Sequence, residues 1–319
     1  MDDGLPSFIN INVHHLCNLD CPMCRSNLGK SEIADAEEIL RYFDSLANWL
    51  PRPRVVHLTG GEAILHPRIY DFVQRLSSLG FFPVLNTNGA ALHAENLRRL
   101  VDAGLGRVNV SLDGLGETHD RMRNAPGLFR GVVDILEYMS KATDLEICIV
   151  SVISALNAHT LPEMLCLLSK NERIMNFNFQ AIVPTLSQPW SWDFFSASTL
   201  WPRTMEEKGE VFSAMDHIGR LRDEGLPVNN PPSQFSLWRR YFADPRSVFA
   251  ERTCRVDADS LQVYPDGAVG FCNRFPRLGT ILDDPERLWT SETNNVARAE
   301  MRRCAQPCIY FINCCFRDE

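Results

Sequence analysis

Six short runs rich in β-branched and aromatic residues, at 8–13, 55–59, 82–86, 107–111, 145–151 and 177–182, alternate with stretches of helical spacing. This rhythm predicts successive βα units from residue 8 to about residue 183, because apolar residues at period two make a strand and at period 3.6 a one-sided helix. Parallel strands joined by helices cross over with a right hand, so six such units curl into a partial barrel. Its ligand face then lies at the carboxyl ends of the strands. Between the first two runs Ile39, Leu40, Phe43, Leu46, Ala47 and Leu50 recur at helical spacing, and Pro51 stops the pattern. Ile69, Phe72, Val73, Leu76 and Leu79 repeat it as far as Gly80. Further helices are expected around 97–101, 132–139 and 161–168.

Residues 184–250 break the rhythm with Pro184, Pro189, Pro202, Pro227, Pro231 and Pro232, and with Trp190, Trp192 and Trp201. This stretch reads as a bridge with one or two helices, one of them around 212–221. The aromatics of 190–201 suit either a sugar-binding pocket wall or the core of a domain interface. From Cys254 onward cysteines dominate, and residues 261–269 alternate and turn at Asp266-Gly267 like a β-hairpin. The expected fold is therefore α/β: a partial (β/α)6 TIM-like barrel over 1–183, a bridge over 184–250, and a small module over 251–319 made of a β-hairpin and a Cys-rich tail.

Cys17, Cys21 and Cys24 stand together in the run from His15 to Cys24, just past the first strand. Three thiolates on one loop can hold three irons of a cubane cluster and leave the fourth iron without a protein ligand. A structural zinc knuckle is the competing use, and it needs a fourth Cys or His to close a tetrahedron. His14 and His15 offer themselves, but they follow an apolar run and are expected at a strand end. A disulfide is disfavoured, since nothing at the amino terminus reads as a secretory signal.

At 319 residues and 45% hydrophobic, the chain has enough apolar content for a full core. Eleven cysteines without a signal peptide fit a reducing, cytoplasmic setting, where thiols bind metal or do chemistry. No apolar run approaches the roughly 20 residues needed to cross a bilayer. A net charge of -8 leaves no surplus of cations for a nucleic-acid backbone. Small molecules or short peptides fit better as partners.

The C-x3-C-x2-C spacing of Cys17, Cys21 and Cys24 resembles the radical S-adenosylmethionine (radical SAM) superfamily. The resemblance implies a 4Fe–4S cluster on those three cysteines. SAM would chelate the open iron and be cleaved by one electron to a 5'-deoxyadenosyl radical. Thr59-Gly60-Gly61-Glu62, after the second strand, is similar to the family's GGE motif, which receives the amino group of SAM; Ala63 stands where many members carry Pro. An ordinary glycine turn explains the same glycines. Asn86-Thr87-Asn88-Gly89 and Val110-Ser111-Leu112-Asp113-Gly114 end the third and fourth strands with short polar side chains. By resemblance Asn88 and Ser111 face the cofactor, although Asn, Asp and Gly also fill turns. The 119–123 stretch looks like the family segment whose arginine pairs with the SAM carboxylate, and Arg123 is chosen over Arg121. A solvated arginine at a helix end is the alternative. Asn157 and Gln180 are weaker candidates for the adenosine end.

The C-terminal cysteines resemble the auxiliary-cluster module called twitch or SPASM, whose opening C-x12-G-x4-C is met by Cys254, Gly267 and Cys272. With Cys304, Cys308 and Cys314 they imply one auxiliary 4Fe–4S cluster, and Cys315 follows at once. Which four ligate stays open, as does a zinc ribbon. Cys148 and Cys166 are read as buried core thiols.

The family likeness implies an enzyme that takes a hydrogen atom from an unactivated C–H bond. A thiol on the other face then inverts the carbon, or an auxiliary cluster accepts an electron and completes a dehydrogenation. Epimerisation is favoured here, its donor being a C-terminal cysteine that does not ligate the auxiliary cluster. The first ligand stands at residue 17, which leaves no room for an N-terminal leader-binding wing and favours a sugar or aminoglycoside-like substrate over a peptide. A flavodoxin or ferredoxin would supply electrons. A non-catalytic iron–sulfur carrier on the same fold is the alternative of another class, and it has no use for a SAM pocket.

Overall fold

The computed structural model describes residues 4–24, 33–184, 190–249, 256–272, 275–304, 307–308 and 312–313. The expected barrel is there. β1 (Phe8–Asn12), α1 (Ala36–Trp49), β2 (Val55–Thr59), α2 (Ile69–Ser78), β3 (Phe82–Thr87), α3 (Ala94–Asp102) and β4 (Arg107–Ser111) follow in order. After them come α4 (Glu117–Arg123), α5 (Leu128–Ala142), β5 (Glu146–Ile153), α6 (Leu161–Leu168) and β6 (Ile174–Ala181). Each strand pairs in parallel with the next, from β1 to β6.

The helices form for local reasons. Asp35 caps α1 by accepting the Glu37 and Glu38 amides, and Ile39, Tyr42, Phe43, Leu46 and Ala47 make its buried stripe. On the strands, one alternate set enters the apolar core: Ile9, Ile11, Val56, Leu58, Val108, Val110, Ile147, Ile149, Phe177 and Phe179. The other set points to the inside of the curl and includes Asn10, Asn12, Asn86, Asn109, Asn176 and Asn178, beside His57, Arg107, Glu146 and Cys148. β6 starts three residues before the expected run, since Asn176 dilutes its apolar signal.

In the bridge, α7 (Phe194–Ala197), α8 (Met205–Asp223) and α9 (Pro232–Ala243) follow β6. Thr204 and Glu207 form a capping box on α8. The aromatics of this stretch pack edge to face: Phe195 on Trp201 at 4.7 Å, Trp201 on Tyr241 at 5.0 Å, and Trp190 on Phe249 at 5.5 Å between ring centres. They make an interface core, the second of the two uses their sequence allowed.

The C-terminal segment holds α10 (Val256–Asp259), β7 (Ser260–Val263), β8 (Ala268–Gly270), β9 (Gly279–Thr280), α11 (Pro285–Thr290) and α12 (Glu292–Arg302). β7 and β8 form the expected hairpin, with Gly267 at φ +78° in its turn. The sheet does not stop at β1, because β7 pairs with β1 in parallel from Phe8↔Ser260 to Ile11↔Val263. The result is one nine-stranded sheet in the order β6-β5-β4-β3-β2-β1-β7-β8-β9.

The opposite edge, β6, is closed without a strand. Phe177 donates to Pro227 and accepts from Asn229 through the backbone. Two residues on, the Asn230 amide does both jobs for Phe179, at 2.7 and 3.0 Å. Two further on, Asn313 does them for Ala181, at 2.8 Å each. An exposed edge invites pairing with another chain, and these side chains occupy the edge groups instead. Asn230→Ala is expected to leave the N–H and C=O of Phe179 unpaired in a buried setting, at a cost of about 2–3 kcal/mol in urea unfolding. A loss below about 0.5 kcal/mol would mean that water replaces the amide.

Candidate functional site

The loop after β1 is laid across the end of β2 by backbone hydrogen bonds. Val13 donates to Thr59 at 2.9 Å, Gly61 to His14 at 2.8 Å, and Glu62 to Leu16 at 2.7 Å. A Cβ on Gly60 would stand 2.3 Å from the His14 carbonyl oxygen, and one on Gly61 2.2 Å from that of Leu16. These glycines admit a close backbone approach, and the backbone that uses this space is the chain's own. His14 sits buried at the strand end, its Nδ1 taken by the Leu16 amide at 2.9 Å.

The loop so fixed carries Cys17, Cys21 and Cys24, none of them in a disulfide. Cys17 is half-buried, Cys21 buried and Cys24 exposed. Burial raises the Cys17 thiol and pushes Cys21 up to about 11, and the neighbouring Cys24 adds to both shifts. Thiols held this way become thiolates when a metal displaces their protons.

Glu62 is 1% exposed. Its carboxylate accepts the Thr87 hydroxyl at 2.7 Å and the Asn88 amide at 2.7 Å, so it ties the end of β3 to the loop. Burial pushes its pKa up while these hydrogen bonds oppose the rise. Asn88 in turn donates its side-chain amide to Asn18 at 2.9 Å and to the Cys17 sulfur at 3.7 Å. Ser111 is the half-buried last residue of β4. Arg123, at the end of α4, donates Nε to Asp113 at 2.6 Å.

Asn157 is fully buried and spends its amide on the Asp113 and Val152 carbonyls, at 2.8 and 2.6 Å. It serves as a brace between loops. Gln180 lies on the inner face of β6, opposite Val152. Thr87, Asp113 and His119 were given no role from sequence, yet they complete the network. His119 is buried, accepts the Asp113 amide on Nδ1 at 3.0 Å, and is pushed down to about 4 by burial, which keeps it neutral. Its Nε2 has no partner among the described residues. The signal that could have found all three is position, since Thr87 and Asp113 stand at or just past strand ends and His119 faces Asp113 from the next helix.

The donor set suits an iron–sulfur cluster: three thiols on one braced loop, with an N–H donor from Asn88 on the Cys17 sulfur. Among the described residues, no three His, Cys, Asp or Glu side chains are spaced to hold a single metal ion. Of the auxiliary candidates, Cys272 is buried and Cys304 and Cys308 are half-buried. Cys254, Cys314 and Cys315 lie outside the described residues. Cys166 packs against the core, as expected. Cys148 is buried, as expected, but on the strand face that carries Asn109, and its thiol donates to Asn176 Oδ1 at 2.6 Å.

Residues 11–165 match the family described as the Radical SAM superfamily. The chain carries a radical SAM domain. The match runs from β1 into α6 and takes in the cysteine loop, Gly60 to Glu62, Asn88, Ser111 and Arg123. The AdoMet-dependent heme synthase of Methanosarcina barkeri is 34% identical over 131 residues, 40% of this chain and 37% of that protein. The PqqA peptide cyclase of Rhodopseudomonas palustris is 29% identical over 200 residues, 58% of this chain and 52% of that protein. The chain thus spans about half or less of these curated relatives. Native anSMEcpe with bound AdoMet has the same fold, at a TM-score of 0.68 and 19% identity over 97% of this chain and 88% of that one. Among the described residues, no helix is long and apolar enough to cross a membrane.

Proposed function

We propose that this chain is a radical SAM enzyme in which Cys17, Cys21 and Cys24 hold three irons of a 4Fe–4S cluster and SAM takes the fourth. The observation that carries the reading is the three-thiol loop, held across β2 by contacts that only glycine at positions 60 and 61 permits. When bound, the cluster and SAM would supply a 5'-deoxyadenosyl radical able to take a hydrogen atom from a substrate C–H bond. The protein's part is to brace the loop through Glu62 and Asn88 and to line the substrate space with strand side chains. Ser111 and Gln180 remain candidates for SAM contact at the strand ends.

The inner face favours a neutral, hydroxyl-rich small molecule such as a carbohydrate. Asn12, Asn86, Asn109, Asn176 and Asn178 offer uncharged donors and acceptors there. The charged pair one layer deeper, Arg107 and Glu146, neutralises itself at 2.5 Å. Epimerisation is the finer reading, and Cys148 joins the C-terminal cysteines as a candidate hydrogen donor. Burial pushes its thiol up to about 12, so it keeps the S–H hydrogen that such a donor must give. Dehydrogenation through an auxiliary cluster on Cys254, Cys272, Cys304, Cys308 and Cys314 is the other outcome. A peptide substrate is the second reading, favoured by the likeness to a peptide cyclase.

Candidate sugars and short peptides would be screened for stimulated release of 5'-deoxyadenosine, and the active one rerun in heavy water. Deuterium at an inverted product carbon, lost in Cys148→Ala while 5'-deoxyadenosine still forms, is the expected result. A ketone product without deuterium would replace epimerisation by oxidation.

A further inference from the structure

A closed barrel fills its interior with packed side chains. Here the inner-facing residues of β1, β2 and β4 are all at least partly exposed, so the middle of the curl is open. Its lowest tiers have no part in the chemistry at the strand ends. Strand register sets Asn10, His57, Val84, Arg107 and Glu146 side by side, with Phe8 and Phe82 one step below. Both Arg107 bonds go to one oxygen, Glu146 Oε2, from Nε at 2.8 Å and from Nη2 at 2.5 Å. Arg107 Nη1 and Glu146 Oε1 are left as a donor beside an acceptor, on side chains 28% and 37% exposed. Neither ring nitrogen of His57 has a hydrogen bond among the described residues. Desolvation inside the curl, aided by the Arg107 charge, pushes the His57 pKa down to about 4. The ring is therefore neutral and offers one donor and one acceptor. Aromatic faces adjoin these groups: the Phe8 ring lies 4.9 Å from that of His57, and the Arg107 guanidinium lies 5.5 Å over Phe82. Phe8 is still 40% exposed.

We infer that this floor binds a sugar ring, and that the substrate is a carbohydrate of two linked rings, one on the floor and the other above it at the strand ends. The inference deepens the carbohydrate reading and rests on SAM lying at the strand ends. A sugar ring has neighbouring hydroxyls that each donate and accept, and faces made of C–H groups. A donor beside an acceptor matches adjacent hydroxyls, and exposed aromatic faces match the C–H side. A ligand with a net charge fits worse, because the charges of Arg107 and Glu146 cancel. Strand spacing supplies the ring count. His57 and Arg107 stand two strands apart, about 10 Å between backbones, which admits one ring between them. From Arg107 to Ser111 is four residues of β4, roughly 13 Å along the strand. That depth is more than one ring fills, so a ring on the floor leaves room for a second next to SAM.

The test is a titration of the reconstituted full chain with glucose, maltose, cellobiose and paromamine, followed by saturation-transfer NMR. SAM binding is measured on the same samples by equilibrium dialysis. At least one two-ring probe is expected to bind about tenfold or more tighter than glucose, with saturation reaching protons of both rings. Arg107→Met keeps the apolar stem and loses the fork. His57→Phe keeps a ring against Phe8 and loses both nitrogens. Each is expected to weaken that probe by about tenfold or more. Should Arg107→Met fail to fold, His57→Phe carries the test alone. Equal affinity for all four probes, binding of none, or a two-ring preference unchanged in the folded variants overturns the inference. Saturation confined to one ring overturns it as well. A chain that prefers a two-ring probe yet takes up neither a four-iron cluster nor SAM would keep the floor site and sink the radical reading, so the two failures are told apart.

Discussion

Replacing Cys17, Cys21 or Cys24 by Ala, one at a time, is expected to reduce 5'-deoxyadenosine formation to background while the chain still folds. Loss of a partner around a metal ligand typically costs roughly 10–100-fold in metal affinity or activity, and loss of the ligand itself should cost more. A cubane held at two corners also loses the feature that matters, a single open iron. The fold should survive, because the loop is braced by backbone bonds from Val13, Gly61 and Glu62 and not by the thiols. Iron and sulfide content, chromatography of the nucleoside product and circular dichroism together make the measurement. Cleavage retained in any of the three variants would refute the ligand assignment.

The second large effect is expected at a residue with no side chain. In Gly61→Ala the new methyl would meet the Leu16 carbonyl oxygen at 2.2 Å and that of His15 at 2.4 Å, and both belong to backbone that cannot rotate away. The loop must lift, which breaks the Gly61 to His14 and Glu62 to Leu16 hydrogen bonds. Overpacking of this kind costs typically 1–3 kcal/mol, and a clash with backbone places this site near the top of that range. Iron loading should fall with it, since the three thiols ride on the displaced segment. Gly131, inside α5 with open space around its Cβ position, supplies the control: Ala there should raise stability by about 0.5–1 kcal/mol. Equal urea midpoints for the two variants would remove the packing argument.

The six barrel strands were legible because each pairs with its sequence neighbour, so local alternation of apolar residues carries the information. The cysteine loop was legible because its three thiols sit within eight residues. What the residues left unsaid was long-range. Nothing in 260–263 says that this strand will lie against β1 and not only against its hairpin mate. Asn230 and Asn313 look like any loop amide until the unpaired edge of β6 is beside them. Cys148 sits in an apolar run, which suggested core, but strand parity turns it to the amide-lined side. Arg123 was read as a partner for the SAM carboxylate, and Asp113 and His119 were given no role of their own. Their shared meaning comes from the ends of β4 and β5 and helix α4 meeting at Asp113.

Both rims of the curled sheet are occupied by distant parts of the same chain: β1 takes Ser260–Val263, and β6 takes the amide of Asn313. The Asn10 to Gln262 bond spans 252 positions. At the usual synthesis rate of 5–20 residues per second, β1 leaves the ribosome roughly 12–50 s before its outer neighbour exists. A nascent barrel therefore waits with its first strand bare on one side, a state that invites chaperone binding. The strand that leads into the cysteine loop is unsupported on that side until residues 260–263 are made, so maturation of this protein is expected to follow the completion of translation.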